Sequence, residues 1–321
     1  MSSEPEFEPC EEQKQLVPDV SGNTLNGLGE EARRRPTPIY WHSPKTLAHG
    51  KLQRWMLERT SRLVPETRDL KASLDGRGPE QRAAKASAPA SGTPAEWTAK
   101  AKAFALANES DLVGIARMDP TWVFEGYDAD YPWMIVLGLE MDHAELATAP
   151  EPPSVIEVMR QYNRGTRASR ALADWILGQG YNALAHGGPQ AGPALMIPAA
   201  LACGFGELGK HGSIINRTYG SSFRLACVLT DMPLTADEPD IFGADDFCLN
   251  CQLCTKACPP DAIFREKQTV RGEHKWYVDF DKCVSYFNET HGCGICIAVC
   301  PWSRPGIAPN LAEKMSRRQR S

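Results

Sequence analysis

The apolar positions between residues 93 and 235 follow two spacings, one typical of amphipathic helices and the other of short buried strands. The first helix is predicted to begin at Thr93, because residues 93–96 (Thr-Pro-Ala-Glu) combine a capping box with proline in the first helical position. Trp97, Ala101 and Phe104 then recur at helical spacing. A folded domain is therefore expected to begin at residue 93.

Further along this segment, short apolar runs indicate strands and longer periodic stretches indicate helices. Residues 112–116 and 134–139 have the length and composition of buried strands. A helical period is present at 155–162 and continues until the glycines at 178 and 180. A further helix is predicted at 198–203, and further strands at 213–216 and 223–229. Because helices and strands alternate, we expect an α/β layer domain at residues 93–235.

The first 92 residues are predicted to be an extension and a linker outside this domain. They begin with an acidic stretch, and residues 66–92 are rich in Ala, Ser, Gly, Pro and charged residues, as linkers and long surface loops are. A helix is predicted at 52–63, with Leu52, Met56 and Leu63 on a face that would dock on the main body. Residues 1–30 are expected to be dispensable for folding.

The overall charge argues against a broad basic surface for nucleic acid. The chain has 35 Lys and Arg against 40 Asp and Glu, a formal net charge of -5. No apolar run approaches the roughly 18 residues that a membrane span requires. The arginines at 33–35 are followed by Pro-Thr-Pro rather than by the apolar stretch of an export signal. The sequence therefore predicts a cytoplasmic protein with neither a nucleic-acid partner nor a membrane partner.

Cysteine spacing gives the most specific chemical indication. Eight of the eleven cysteines lie between residues 248 and 300, where one run has the C-x2-C-x2-C-x3-C-P spacing of bacterial ferredoxins and a second, shorter run ends in Cys-Pro. The fourth cysteine of such a run binds the other cluster, which predicts two [4Fe-4S] clusters with crossed ligands at 236–305. The first cluster is assigned to Cys248, Cys251, Cys254 and Cys300. The second is assigned to Cys258, Cys283, Cys293 and Cys296. Residues 306–321 form a tail.

Other interpretations of these motifs are weaker. Two four-cysteine zinc sites would use the same ligands, but the Cys-Pro endings and crossed spacing favour clusters. His291 lies in the irregular loop between Cys283 and Cys293 and is interpreted as a packing residue, since eight cysteines already satisfy eight irons. The glycines at 204, 206 and 209 match a dinucleotide-binding spacing, but they follow a predicted helix rather than a strand. The D-x-H-x-x-G pattern that supplies a histidine to cobalamin is absent.

Several stretches together resemble the reductive dehalogenases, which are corrinoid and iron-sulfur enzymes that remove halogen from organic halides. The resemblance spans about residues 97–303, and it also extends to the related epoxyqueuosine reductases. The stretches are residues 111–120, 136–141, 206–212, 219–220, 224–225 and 230–234, together with the two cysteine runs.

The resemblance implies a nitroreductase-like α/β (α+β) domain that binds base-off cobalamin, followed by a ferredoxin-like domain with two clusters. It makes Tyr162 the proton donor and Arg224 its cationic partner; the ordinary alternatives are a core tyrosine and a strand-edge ion pair. The cobalamin is expected to contact these residues: Glu207, Leu208, Gly209, Lys210, His211, Gly212, Ser213, Ile214 and Tyr219.

The resemblance also implies a class of substrate and a source of electrons. An organic halide, aromatic or phenolic, is expected, and a separate ferredoxin or flavodoxin with its reductase would deliver electrons, because no fused reductase module is evident. His186 occupies the place where the family has a polar residue, often Asn, and is a candidate for anchoring substrate. Four aromatic residues are candidates either for an apolar substrate wall or for ordinary packing: Trp122, Phe124, Tyr127 and Trp133.

Two other functions remain open from the sequence. An epoxyqueuosine reductase would have to hold tRNA phosphates, yet only the tail residues Lys314, Arg317, Arg318 and Arg320 form a conspicuous basic group. A ferredoxin-like electron carrier with an inert additional domain would need the clusters but no corrinoid.

Overall fold

The computed structural model describes residues 7–75, 83–188 and 192–319. Part of the predicted linker, at 76–82, and Arg320 of the basic tail lie outside the described residues. The helices are α1 Glu11–Lys14, α2 Gly22–Asn26, α3 Gly50–Leu63, α4 Glu66–Asp75, α5 Pro94–Ala107, α6 His143–Leu146, α7 Pro152–Gly178, α8 Met196–Ala202, α9 Ala244–Asn250, α10 Leu253–Ala257, α11 Phe280–Glu289, α12 Ile295–Ala298 and α13 Ile307–Gln319. The strands are β1 Leu112–Arg117, β2 Trp133–Glu140, β3 Ala183–His186, β4 Glu207–Leu208, β5 Ile214–Ile215, β6 Phe223–Thr230, β7 Gln268–Val270 and β8 Glu273–Lys275.

The central sheet has four strands in the order β1-β2-β6-β3, and every neighbouring pair is antiparallel. The two strands predicted at 112–116 and 134–139 are β1 and β2. The predicted capping box also forms: the Thr93 hydroxyl accepts from the Glu96 amide, and the Glu96 carboxylate accepts from the Thr93 amide. Helices and strands are therefore mixed as expected, and the antiparallel pairing makes the domain α+β.

Strand β2 lies between two apolar layers. Ile135, Leu137 and Leu139 join the core on the side of α5 and α7, and Met134 and Val136 join the core on the side of α8. Because successive side chains of a strand point to opposite faces, a strand covered on both sides must be apolar at nearly every position. This explains the uninterrupted apolar run in its sequence.

Helix α7 approaches the sheet closely at Gly165. A Cβ atom at this position would lie 3.1 Å from the Ala226 Cβ and 3.2 Å from Leu139 Cδ2. Glycine therefore lets the helix backbone rest on β2 and β6. Tyr162 lies about one turn before Gly165 on α7, so this close approach also places Tyr162 over the sheet. No described helix, including this 27-residue one, is both long and apolar enough to span a membrane.

The cysteine-rich part of the chain folds around a separate apolar cluster. Phe242, Trp276 and Trp302 are almost completely buried there, and Ala308 and Ala312 of α13 pack against them. The short helices α9, α10, α11 and α12 carry one cysteine each, and the other four lie in the segments between and beside them: Cys251, Cys258, Cys293 and Cys300. Helix α13, in the predicted C-terminal tail, therefore packs on this body.

The N-terminal segment packs on the cysteine-rich part of the chain, which corrects the expectation of an extension outside the core. Asn23 donates to the Asp279 carboxylate at 2.8 Å and accepts from the Phe280 amide at 2.8 Å and from the Tyr277 hydroxyl at 3.0 Å. Gly22 donates its amide to Asp281 at 2.7 Å. Helix α3 docks with Leu52 and Met56 buried, but Leu63, the last residue of the helix, is exposed and does not belong to the docked face. The hydrophobic pattern did not predict the attachment through Gly22 and Asn23, because hydrogen bonds rather than apolar contacts make it.

A buried amide network extends this attachment. The Gln13 side chain is fully buried; it donates to the Ser285 carbonyl at 3.0 Å and accepts from Asn288 at 3.0 Å. Tyr40 donates its hydroxyl to Asn288 at 2.7 Å. Buried amides must be satisfied in this way to avoid a desolvation penalty. The network holds Gln13 and Tyr40 of the N-terminal segment against α11.

Replacing Asn23 with alanine should therefore destabilise the protein. The change leaves three polar partners without their bond, and such losses typically cost about 1–3 kcal/mol. Urea unfolding followed by circular dichroism measures the effect. The control is Asn310→Ala, which removes only an exposed bond to the Gly306 carbonyl and should change stability by less than about 0.5 kcal/mol. Equal stability of the two variants would show that the N-terminal attachment contributes nothing.

Candidate functional site

The first predicted set of cysteines comes together around one small pocket. Its wall contains all four sulfur-bearing residues of that set, and Lys210, His211, Phe247 and Trp302 complete it. The members are Cys248, Cys251, Cys254 and Cys300. Cys300 is 46 or more residues from the other three in sequence, so the crossed assignment agrees with the geometry.

The second set is also brought together. Burial raises the pKa of the Cys283 thiol to about 12, and the nearby Cys293 and Cys258 thiols raise it further. Burial likewise raises the pKa of Cys296 well above its ordinary value, with Cys293, Cys283 and Cys258 again close enough to contribute. The Cys254 thiol of the first set also raises the pKa of Cys296. The two sets are therefore neighbours, joined where α10 packs on α12.

The cysteines form sets but not single-ion sites. Among the described residues, no group of three or more His, Cys, Asp or Glu side chains is arranged to hold one metal ion. A tetrahedral zinc site would bring four sulfurs to about 2.3 Å from one point. Two sets of four cysteines, drawn from two runs that each end in Cys-Pro, fit [4Fe-4S] clusters better than zinc.

The segment 207–214 lies beside the first cysteine set. The Glu207 carboxylate accepts from the amides of Phe242 at 2.8 Å and Ala244 at 2.9 Å, which ties it to the start of the helix that carries Cys248. His211 is buried, its Nε2 lies 3.2 Å from the Ser221 hydroxyl, and burial lowers its pKa to about 4.

A larger cavity of about 410 Å³ lies between α7, α3 and the loop before α12. Tyr162, Arg224 and Cys293 all contribute to its wall. The lining is mainly apolar, with Met141, Val158 and Phe287 among its members. The volume is within the roughly 300–1,000 Å³ of small-molecule sites. One cavity thus joins the predicted catalytic pair to a ligand of the second cysteine set.

Tyr162 and Arg224 are in contact, as the resemblance led us to expect. The guanidinium carbon of Arg224 lies 5.5 Å from the centroid of the Tyr162 ring, within the range of a cation-π interaction. Arg224 Nε is buried and has no hydrogen-bond partner among the described residues. An unpartnered buried donor in a cavity wall is available to an anionic ligand.

The tyrosine ring is held in place by its neighbours. Gly188 packs directly on it, since a Cβ there would lie 1.9 Å from Tyr162 Cδ1. The Thr166 hydroxyl donates to the Tyr162 carbonyl at 2.9 Å. Any residue larger than glycine at 188 would displace the ring. The position of Tyr162 is therefore set by α7 on one side and by the loop after β3 on the other.

Other predicted residues are placed elsewhere. None of the nine residues expected to contact cobalamin lines the large cavity; Lys210 and His211 face the first cysteine set instead. His186 is not in the cavity wall and packs against Gly192. The four candidate aromatic residues are not in that wall either, and Phe124 packs on His42 with ring centroids 4.5 Å apart.

Three residues of the cavity wall were not predicted to lie there, including His291, which was interpreted as a packing residue. Trp41 comes from the N-terminal segment and meets Phe287 edge to face at 6.0 Å. His291 lies in the wall with its Nδ1 3.1 Å from the Thr60 hydroxyl, and Arg170 of α7 adds a second guanidinium. These residues are distant in sequence and belong to no motif.

Comparison with known families agrees with the cysteine motif. Residues 247–303 match the model of a 4Fe-4S dicluster domain. This match covers both cysteine runs and Cys283.

Curated relatives extend the similarity upstream. The tetrachloroethene reductive dehalogenase of Sulfurospirillum multivorans is 28% identical over 261 residues, which are 67% of this chain and 52% of that protein. The enzyme of the same name from Desulfitobacterium hafniense is 31% identical over 208 residues, 60% of this chain and 37% of that one. The epoxyqueuosine reductase of Cyclobacterium marinum is 33% identical over 129 residues, 35% of this chain and 38% of that enzyme. The chain thus spans about half or less of these relatives.

Solved structures show the same fold. A catabolic reductive dehalogenase in complex with 3-bromo-4-hydroxybenzoic acid matches 94% of this chain and 47% of its own, with a TM-score of 0.72 and 23% identity. A reductive dehalogenase structure concerned with B12-dependent dehalogenation matches 95% of this chain and 47% of its own, with a TM-score of 0.72 and 21% identity. This chain is thus similar in sequence to the tetrachloroethene reductive dehalogenases and similar in fold to the solved reductive dehalogenases.

Proposed function

We propose that this chain is a cobalamin-dependent reductive dehalogenase that replaces halogen by hydrogen on an aromatic or phenolic halide. The observation that carries the proposal is the cavity in which Tyr162, Arg224 and Cys293 share one wall. The net reaction consumes two electrons and one proton and releases halide. The site needs an electron path, an acid and a positive charge, and each has a candidate residue in this wall.

The cavity also fits a redox cofactor placed between a cluster and a substrate. It is mainly apolar, it reaches Cys293 of the second cysteine set, and glycines 187, 188, 292 and 294 in its wall leave room for close approach. When bound, a corrinoid would supply the low-potential metal centre for reduction of the carbon-halogen bond. The groups that could hold it here are the glycine backbones and Thr166. Base-off binding and contacts from Ser213 and Tyr219 remain predictions.

The chain's own side chains would handle the proton and the anion. The Tyr162 hydroxyl would donate the proton to carbon, and Arg224 would stabilise the resulting tyrosinate or a substrate phenolate. The rings of Trp41 and Phe287 would shield the cavity from water. The described wall contains two arginines and no carboxylate, which favours a substrate with an apolar body and an anionic group, such as a halogenated phenol. The solved relative with a bromohydroxybenzoate supports this class.

Two clusters in the crossed arrangement would carry electrons from a separate donor to this cavity. The second set would deliver them beside Cys293, and the first set, which contributes no residue to the cavity wall, would receive them from the donor. The domain boundaries at 92, 235 and 305 and the cytoplasmic location also remain proposals. They rest on the sequence composition and on the cysteine content.

The proposal is tested with protein reconstituted with iron, sulfide and cobalamin under anaerobic conditions. We expect one corrinoid per chain and bromide release from a brominated phenol with a chemical reductant. Epoxide loss from an epoxyqueuosine-containing tRNA stem loop, without bromide release, would instead support the tRNA-modifying function of the other relatives. Absence of corrinoid binding would support an electron carrier.

The crossed ligands are tested by iron analysis of cysteine variants. Cys254→Ala should remove one cluster, about four irons per chain, and Cys254→Ala combined with Cys300→Ala should remove no more, because both belong to one set. Combining Cys254→Ala with Cys258→Ala should remove both clusters. The exposed Cys10 provides the control, and Cys10→Ala should lose no iron. Loss of only four irons in the Cys254/Cys258 double variant would indicate sequential rather than crossed sets.

Tyr162→Phe tests the proposed acid. The ring and its packing on Gly188 are retained, so cofactor content should be unchanged, but dehalogenation should fall by about 10²- to 10⁴-fold, the usual contribution of a positioned general acid. Arg224→Leu should lose a similar amount, and the double variant little more, since the two act as a unit. The control is Tyr181→Phe, which loses only an exposed bond to the Ala90 carbonyl. Bromide release by Tyr162→Phe at the wild-type rate would assign the proton to another group.

A further inference from the structure

Lys210 is a buried cation without a counter-ion among the described side chains. The residue is 1% exposed, and its Nζ has no hydrogen-bond partner in the described part of the chain. Its ammonium lies 4.7 Å from the centroid of the Trp276 ring. A cation-π contact compensates only part of the cost of burying a charge. A partner of opposite charge is therefore missing from the protein side chains around it.

The pocket beside Lys210 is the one formed by the first cysteine set. Lys210 lines it together with Cys248, Cys251, Cys254 and Cys300. The Lys210 backbone amide also donates to the Cys248 sulfur. No aspartate or glutamate is among the residues that line this pocket. The other basic residue in its wall is His211, and burial lowers the pKa of that imidazole to about 4.

We propose that Lys210 is the buried counter-ion of the cluster held by Cys248, Cys251, Cys254 and Cys300 and that its charge raises the reduction potential of that cluster. A cubane bound by four thiolates is anionic, and reduction adds one more negative charge. A fixed cation in a low-dielectric wall therefore stabilises the reduced form more than the oxidised form. The inference rests on the proposed cluster assignment and gives Lys210 a role distinct from the corrinoid contact that the resemblance implied.

A second lysine near the same ring provides a matched comparison. Lys267 Nζ lies 5.5 Å from the Trp276 centroid, but it is paired with the Asp245 carboxylate at 2.5 Å and is partly exposed. The same carboxylate accepts from Trp276 Nε1 at 2.6 Å. The Lys267 charge is thus neutralised by a neighbour and screened by solvent. It should have little effect on the cluster.

The experiment is a redox titration of reconstituted protein followed by electron paramagnetic resonance. The signal that disappears in Cys251→Ala identifies the cluster of the first set. In Lys210→Met, which keeps the apolar stem, the ratio of reduced to oxidised cluster at a fixed potential should fall at least tenfold, a shift of about 59 mV to more negative potential. Lys210→Arg should remain within threefold of the wild type, and so should Lys267→Met.

The outcomes separate this inference from the cluster assignment itself. An unchanged potential in Lys210→Met and in the second variant Lys210→Gln, with eight irons retained, would overturn the role of Lys210 and leave the clusters in place. A shift of equal size in Lys267→Met would also overturn it, because a general surface charge would then be responsible. If Cys251→Ala retained as much iron as the wild type, the cluster assignment and the inference would both be wrong.

Discussion

The arrangement depends on the crossing of the two cysteine runs. Cys300, from the second run, completes the first set, and Cys258, from the first run, lies with the second set. Neither site can form unless α10 and α12 pack together, as they do here. If each set holds a cluster, as we propose, cluster binding and the folding of residues 244–303 would be coupled, because each cysteine run contributes to both sets.

The same body is attached to the upstream part of the chain at two places. Glu207 accepts backbone amides at the start of α9, and the Ser222 hydroxyl, at the edge of β6, donates to the Ser303 carbonyl at 3.2 Å. Strand β6 carries Arg224, and the loop before α12 carries Cys293 into the same cavity wall. The positions of the guanidinium and of the second cysteine set are therefore fixed relative to each other by main-chain and side-chain bonds. A rigid link of this kind is what electron transfer into a closed cavity requires.

Local patterns were sufficient for the strands of the central sheet and for the two sets of cysteines that the fold brings together. Strand β2 was predictable because a doubly covered strand is apolar throughout, and α5 because its first turn carries its own cap. The N-terminal segment was not predictable, since Asn23 and Gln13 attach it through hydrogen bonds to residues more than 250 positions away. The places of Trp41 and His291 in the cavity wall were not predictable either, because these residues meet there from distant parts of the sequence. Segment 207–214 was recognised as functional, but only the fold showed that Lys210 and His211 face cysteines.

The most direct test of the central arrangement is anomalous diffraction at the iron edge, using crystals of the reconstituted protein grown without oxygen. The account predicts two iron peaks of four atoms each. One should be surrounded by Cys248, Cys251, Cys254 and Cys300, and the other should lie beside Cys293, next to the cavity that contains Tyr162. A single iron peak, or a peak bounded by Cys248, Cys251, Cys254 and Cys258, would contradict it.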